Sequence, residues 1–328
     1  MTKPSTPRRR TLLSVALALG FASTTGVAST PAQAQANVTR MVVPFPAGGI
    51  TDQVARVLAE RMSKQLGETI IIDNKPGAGS RLGVDTVVKA PPDGKTWLLT
   101  NPSYSILPIV DPKVRMDPVT ALAPVALAAT YSLQVVTRTD LPANNLAEFI
   151  AYAKKNPGKL SYGSEGVGSG SHFAGEYFKY LTGTSLVHVP YKSTSGALND
   201  VAAGLIDLEF DGSSKTLVDA GKVKILAVTG RQRDPRFPNT PTVIEAGLKE
   251  FVQESWIGIF APVGTPAADI ERFNQAATAA VADPAVRKAF ADMGLQPEAG
   301  PPSKLGQAVA DDVELFRKIA ADAKLQFE

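Results

Sequence analysis

Met41-Val42-Val43-Pro44-Phe45-Pro46-Ala47-Gly48-Gly49-Ile50-Thr51-Asp52 is a short β-branched strand, a glycine turn and the start of a helix. The pattern returns in the other half of the chain, as Leu160-Ser161-Tyr162-Gly163-Ser164-Glu165-Gly166-Val167-Gly168-Ser169-Gly170-Ser171-His172. A helix N-terminus presents unpaired N–H groups and about half a positive charge, and glycines let a ligand approach the backbone. One such turn is ordinary. Two in separate halves imply an anion held between two lobes.

Outward from these turns, strand and helix alternate. Val54, Leu58, Met62 and Leu66 recur every four residues and mark one face of a helix ended by Gly67. Thr69-Ile70-Ile71-Ile72-Asp73 reads as a buried parallel strand, Arg81 to Lys89 as a helix, and Thr96 to Thr100 as a strand. Beyond Tyr131, strands are expected over Leu133–Thr137, Leu186–Val189, Leu205–Phe210 and Val223–Val228. Helices are expected over Leu146–Lys155, from Phe173 through Tyr177 and Leu181, and over Ala197–Ala203. After Trp256–Phe260 only helices follow, at about Ala267–Ala282, Ala285–Met293 and Ser303–Gln326. Repeated strand–helix steps predict an α/β protein with helices on both faces of its sheets. Ligands in such folds sit beyond the carboxyl ends of the strands, where both glycine turns fall. The last helices are expected to pack back on the first lobe, giving residues 37–132 plus 256–328 as one lobe and 133–255 as the other.

The first 36 residues read as targeting. Lys3 and Arg8-Arg9-Arg10 precede an apolar stretch from Leu12 to Ala22 and the exit sequences Ala32-Gln33-Ala34 and Ala34-Gln35-Ala36. That is a secretory signal peptide, with cleavage expected after Ala34 or Ala36. Four of the 34 basic residues lie in it and none of the 31 acidic ones, so the remainder is nearly neutral. Nothing then points to nucleic acid or a charged membrane surface. The chain has no cysteine, hence no disulfide, thiolate metal site or cysteine-linked lipid. A soluble, exported monomer is expected.

Most enzyme classes find no support. His172 and His188 are the only histidines, too few for an ordinary zinc site, and no cofactor is expected. Neither a G-x-S-x-G elbow nor a G-x-x-x-x-G-K-[ST] phosphate loop occurs, and Gly166-x-Gly168-x-Gly170 brings its third glycine one residue too early for a dinucleotide fingerprint. A binding site is the better reading. Gly48, Gly49 and the Thr51 hydroxyl can surround a carboxylate, with Asp52 as a helix cap. Gly166, Gly168, Ser169 and Gly170 can do the same from the other side. His172 either donates to the ligand or caps its helix, and His188 is structural. Tyr191 and Ser193 are candidate cleft residues at a third strand-to-helix junction. Ser103, in Asn101–Ser105, would form the distal wall. Asp211, at a strand end, suits an indirect role through water or a loop N–H, because a carboxylate repels an anionic ligand. Lys192 and Arg81 are available counter-charges.

Read in order, Pro44-Phe45-Pro46-Ala47-Gly48-Gly49-x-x-Asp52, Asn74-x-Pro76-Gly77-Ala78-Gly79 and Pro92-Asp93-Gly94 resemble the tripartite tricarboxylate transporter substrate-binding proteins, the Bug or TctC family. So do His188-Val189-Pro190-Tyr191-Lys192, Asp207-Leu208-x-Phe210-Asp211, Pro241-Thr242-Val243-x-Glu245-Ala246-Gly247 and Phe260-Ala261-Pro262-x-Gly264-Thr265-Pro266. The resemblance spans the chain beyond the signal peptide. It implies a two-lobed periplasmic binding protein, type II-like, with a hinged interdomain cleft. One ligand carboxylate would be held by the loop matching Phe45 to Thr51, Ala47 included, and the loop matching Ser164 to Ser169, partly through water. The ligand would be a small carboxylate, dicarboxylic or aromatic, handed to a permease of one large and one small membrane subunit. A sensor presenting its ligand to a membrane receptor kinase is the alternative. The chain departs from the family after Val189-Pro190-Tyr191-Lys192, where Ser193 and Gly196-Ala197 replace the usual Gly and Pro-Ala. The extra hydroxyls of Ser193, Thr194 and Ser195 would either bond a distal polar group or cap the next helix.

Overall fold

The structure, a computed structural model, describes residues 38–111, 113–322 and 324–325. The signal-peptide reading of residues 1–36 lies outside them. The chain first forms β1 (Val38–Val43), α1 (Ile50–Leu66), β2 (Thr69–Asn74), α2 (Arg81–Val88), β3 (Thr96–Thr100), α3 (Ser103–Val110) and β4 (Leu122–Ser132). It continues through β5 (Gln134–Arg138), α4 (Leu146–Lys155), β6 (Leu160–Ser164), α5 (Gly170–Thr182), β7 (Leu186–Pro190), α6 (Thr194–Ala202), β8 (Leu208–Asp211), α7 (Lys215–Asp219) and β9 (Val223–Val228). It ends with β10 (Glu254–Pro262), α8 (Ala267–Ala282), α9 (Pro284–Met293), β11 (Gln296–Pro297) and α10 (Pro302–Asp322).

These elements form two sheets, one per lobe. The first has the order β11-β4-β10-β3-β1-β2, and the second the order β7-β6-β8-β5-β9. In the first, β1 pairs in parallel with β2 and β3, whereas β10 is antiparallel to β3 and β4. In the second, β6 is parallel to β7 and β8, and β5 runs antiparallel between β8 and β9.

Local chemistry accounts for the helices that frame the site. The inward stripe of α1, Val54, Leu58 and Met62, is fully buried, and Gly67 ends the helix in the left-handed conformation while its N–H bonds the Ser63 carbonyl. Asn145 caps α4 by accepting from the Glu148 N–H, and the Glu148 carboxylate reaches back to the Asn144 N–H, a reciprocal arrangement that fixes the first turn. The apolar faces of α1, α8 and α9 cover one side of the first sheet, where Trp97 stacks on Phe273 with ring centroids 3.8 Å apart. α2, α3 and α10 cover the other side around Leu98 and Phe260. In the second lobe α4 and α5 pack against Phe210 and Tyr162, and α6 packs on the opposite face beside Val136.

The chain crosses between lobes side by side at Leu133 and Gln253, and the fully buried Thr229 laces both crossings. Its hydroxyl accepts from the Leu133 N–H (2.9 Å) and donates to the Gln253 carbonyl (2.6 Å). Its backbone bonds Leu133 O and Gln253 N as well. On the other side of the molecule, Phe173 of α5 packs with Ile106 of α3 and with Phe316 and Ile319 of α10, an apolar contact joining the lobes.

Three expectations need correction. β2 is an edge strand with Ile71 47% exposed, because β1 is its only neighbour in the sheet order. β8 starts at Leu208 rather than Leu205: Gly204 is left-handed and the Leu205 N–H turns back to the Asp200 carbonyl. The stretch after Phe260 is not purely helical, since β11 adds a short pairing to β4.

Candidate functional site

Both glycine turns open on one cavity of about 800 Å³ between the lobes. α1 reaches it from the first sheet and α5 from the second. Phe45, Ala47, Gly48, Gly49, Thr51 and Ser103 line it from the first lobe; Gly166, Ser169, Ser193 and Asp211 line it from the second. The remaining singled-out residues, Ser164, Gly168, His172 and Tyr191, are not among its lining residues.

The hydrogen bonds revise which N–H groups are open. The Gly48 N–H is taken by the Asp52 carboxylate at 2.9 Å. Asp52 is therefore no N-cap: Gly49 holds that position, and Asp52 sits in the first turn, also receiving Arg56 and the Asn74 amide. These donors hold its carboxyl below the ordinary range against the burial that pushes it up. In the second turn the Gly166 N–H bonds the Ser164 hydroxyl, the Gly168 N–H bonds His172 Nδ1, and the Ser169 N–H bonds the Gly166 carbonyl. Among the described residues, the N–H groups of Gly49 before α1, of Ile50 and Thr51 in α1, and of Gly170 and Ser171 in α5 have no protein partner. Both termini open on the same cavity, and a helix N-terminus is suited to an anion.

The residues behind the wall brace it. His172 neither faces the cavity nor caps its helix; Ser169 is the cap, and its hydroxyl accepts the His172 N–H. The His172 ring holds Gly168 and stacks on His188 at 4.2 Å, while His188 Nε2 meets the Ser164 hydroxyl at 2.7 Å. Burial, and after it His188, pushes the His172 pKa down to about 4, so the ring is neutral near pH 7 and Nδ1 can accept. The Tyr191 hydroxyl turns away to Asp200, a short-range partner nine residues on. Ser193 takes the capping role, accepting the Gly196 N–H at the start of α6, and it lines the cavity together with Thr194 and Ser195. Arg81 is bound to Asp111 at 2.7 Å and is not a free counter-charge. Lys192 lines the cavity at an exposed position.

Sequence reading passed over Glu165, Tyr131 and Ser255, all of which line the cavity. Glu165 stands inside the quoted glycine turn and was visible as an acid next to a predicted anion cradle. Its pKa is pushed up to about 7, by burial first and then by Asp211. Burial also raises Asp211, whose carboxylate accepts the Ser213 N–H and hydroxyl. Glu209, fully buried two residues before Asp211, is raised well above its ordinary value by burial and by these two acids.

The family model described as "Tripartite tricarboxylate transporter family receptor" matches residues 54–325. This chain belongs to that family. TctC-family proteins are solute-binding proteins of the periplasm rather than enzymes, and solved members share this two-lobed architecture. The periplasmic binding protein BugD is 35% identical, with a TM-score of 0.81 over 88% of this chain and 98% of that one. Rpa4515 of R. palustris, solved with adipate, is 32% identical at a TM-score of 0.81, covering 88% and 97% of the two chains. MatC of Rhodopseudomonas palustris, solved with bound malate, is 32% identical at 0.80, covering 86% and 98%. The resemblance drawn from the motifs is thereby borne out as family membership.

Proposed function

We propose that this TctC-family protein captures a small organic carboxylate between its lobes in the periplasm and delivers it to the large and small membrane subunits of a tripartite tricarboxylate transporter. One observation carries the reading: α1 and α5, from different sheets, direct open N–H groups into one cavity. A ligand held by both termini favours the state in which the lobes are together, and release follows when they part. The adipate and malate of the two solved relatives support a carboxylate as the ligand class. The basic start, apolar stretch and small-residue exit of residues 1–36 support export, with cleavage after Ala34 or Ala36.

Thermal shifts of refolded protein against mono-, di-, tri- and aromatic carboxylates test the binding step. A ligand at 100 times its Kd adds about 2.7 kcal/mol. The site assignment is tested by Gly49→Val. Gly49 has an ordinary negative φ and only the Pro46 carbonyl near its missing Cβ, at 3.6 Å. The variant should keep the Tm of the empty protein and lose binding, because the added side chain stands over the cradle. Unaltered affinity in that variant sinks the assignment. Delivery is tested by deleting the gene and following uptake of a hit acid; undiminished uptake removes the transport role.

A further inference from the structure

Besides the two N-termini, acids dominate the charge of the cavity lining. Glu165 and Asp211 both line it, and Lys192 is the one cation among the described lining residues. Asp211 is partly satisfied by Ser213, but the Glu165 carboxyl has neither hydrogen bond nor ion pair among the described residues. Behind them the fully buried Glu209 has both carboxyl oxygens unpartnered. Burial, and after it the charges of Asp211 and Glu165, push its pKa well above the ordinary carboxyl range. Two lining carboxyls backed by a third form a wall short of positive charge. A ligand bringing a second carboxylate to that wall meets like charge, whereas a ligand bringing an ammonium supplies what the wall lacks.

Building on the carboxylate reading above, we infer that the acids Glu165 and Asp211 select, among carboxylates, those whose far end carries an ammonium group. The head carboxylate sits on the N-termini of α1 and α5, and the ammonium meets the Glu165 carboxylate with Asp211 beside it. A charge-assisted hydrogen bond of this kind discriminates by about tenfold or more. Glu165 also stands near its proton exchange point when the cavity is empty, pushed up to about 7 by burial and by Asp211. Arrival of an ammonium favours the ionised form, so Glu165 gives its proton to solvent on binding. The other groups facing this spot are Asp211 and Glu209 of β8, Tyr131 of β4 and Lys192 before α6, with Arg236 acting on Asp211 from behind Gly212.

The test is a matched series on the refolded protein, titrated calorimetrically at pH 7. Succinate, glutarate and adipate are compared with β-alanine, γ-aminobutyrate and δ-aminovalerate, and with butyrate, valerate and caproate. In at least one length class the amine should bind about tenfold more tightly than its dicarboxylate. Repeating it in buffers of different ionisation enthalpy should show proton release. Glu165→Gln should shift the amine-to-dicarboxylate ratio about tenfold toward the dicarboxylate, and Asp211→Asn should act in the same direction; melting curves of the empty variants establish that they fold. Tighter dicarboxylate binding at every length, or a ratio unmoved in a folded Glu165→Gln variant, overturns the inference and leaves the carboxylate reading intact. Silence of all nine acids overturns the inference, and the carboxylate reading falls with it only where the tricarboxylate and aromatic panel is silent too.

Discussion

Replacing Thr229 by valine tests the lacing of the two interlobe crossings, because valine keeps the shape and removes only the hydroxyl. Thr229 is fully buried, so no packing volume changes. What is lost is an acceptor for the Leu133 N–H and a donor to the Gln253 carbonyl. An orphaned buried polar group costs about 1–3 kcal/mol. Leu133 and Gln253 are only half-buried, so water recovers part of the loss and the lower half of that range applies to each. The sum is about 2–4 kcal/mol. For a chain of this size the unfolding entropy near Tm is roughly 0.6 kcal/mol/K, which converts the loss to a fall in Tm of about 3–7 °C. Thr229→Ser is the control: it keeps the hydroxyl and deletes one methyl, for about 1 kcal/mol. Urea unfolding of the three proteins at pH 7 gives the comparison. If packing alone mattered, valine would be the milder change. A Thr229→Val variant as stable as wild type, or more stable than Thr229→Ser, refutes the reasoning.

Two further changes probe the bracing beneath the second glycine turn. Burial holds the folded His172 pKa near 4 against 6.5 in the unfolded chain. The unfolded chain thus binds the extra proton between these values, so this group's contribution is whole above pH 6.5 and is lost as pH falls toward 4. Its size is on the order of 3 kcal/mol. The stability deficit of His172→Gln relative to wild type should shrink on acidification across that window, as measured by urea unfolding at several pH values; a deficit constant with pH contradicts it. Gly175→Ala would place a methyl 2.0 Å from Tyr162 Cε2, and that fully buried ring is tethered through its hydroxyl to Glu176. Overpacking at about 3 kcal/mol, less about 1 kcal/mol of regained helix propensity, predicts a net loss of about 2 kcal/mol. A variant melting at or above the wild-type Tm would show that the ring yields.

The glycine turns and α4 were legible because their signals are local: left-handed glycines, an Asn cap and four-residue spacing. α4 and α8 fall on the expected residues. α3 and β4 were not read, and for a physical reason. Ser103–Val110 is apolar nearly throughout and holds Pro108, so no face stands out. Leu122–Ser132 is rich in alanine, and Ala126, Ala128 and Ala129 are all buried, so alternation disappears. Gly49 and Gly170, named from the sequence, keep open N–H groups, whereas Gly48 and Gly168 do not. Whether a glycine N–H is free depends on side chains such as Asp52 and His172 folding back onto it. The Arg81–Asp111 pair and the Glu165–Asp211 wall join residues far apart in sequence, and no spacing rule announces them.

The first sheet is completed only by a strand made late. β3 lies between β1 and β10, and Trp97 stays uncovered until Phe273 exists to stack on it. The second sheet, by contrast, is drawn entirely from residues 134–228. At ordinary synthesis rates the wait between β3 and β10 is on the order of ten seconds. During that interval the N-terminal third has strands without a complete sheet and an apolar face without a lid. The first lobe of such a nascent chain stays open until its last quarter is made, and the lobes mature in the reverse of the order in which they begin.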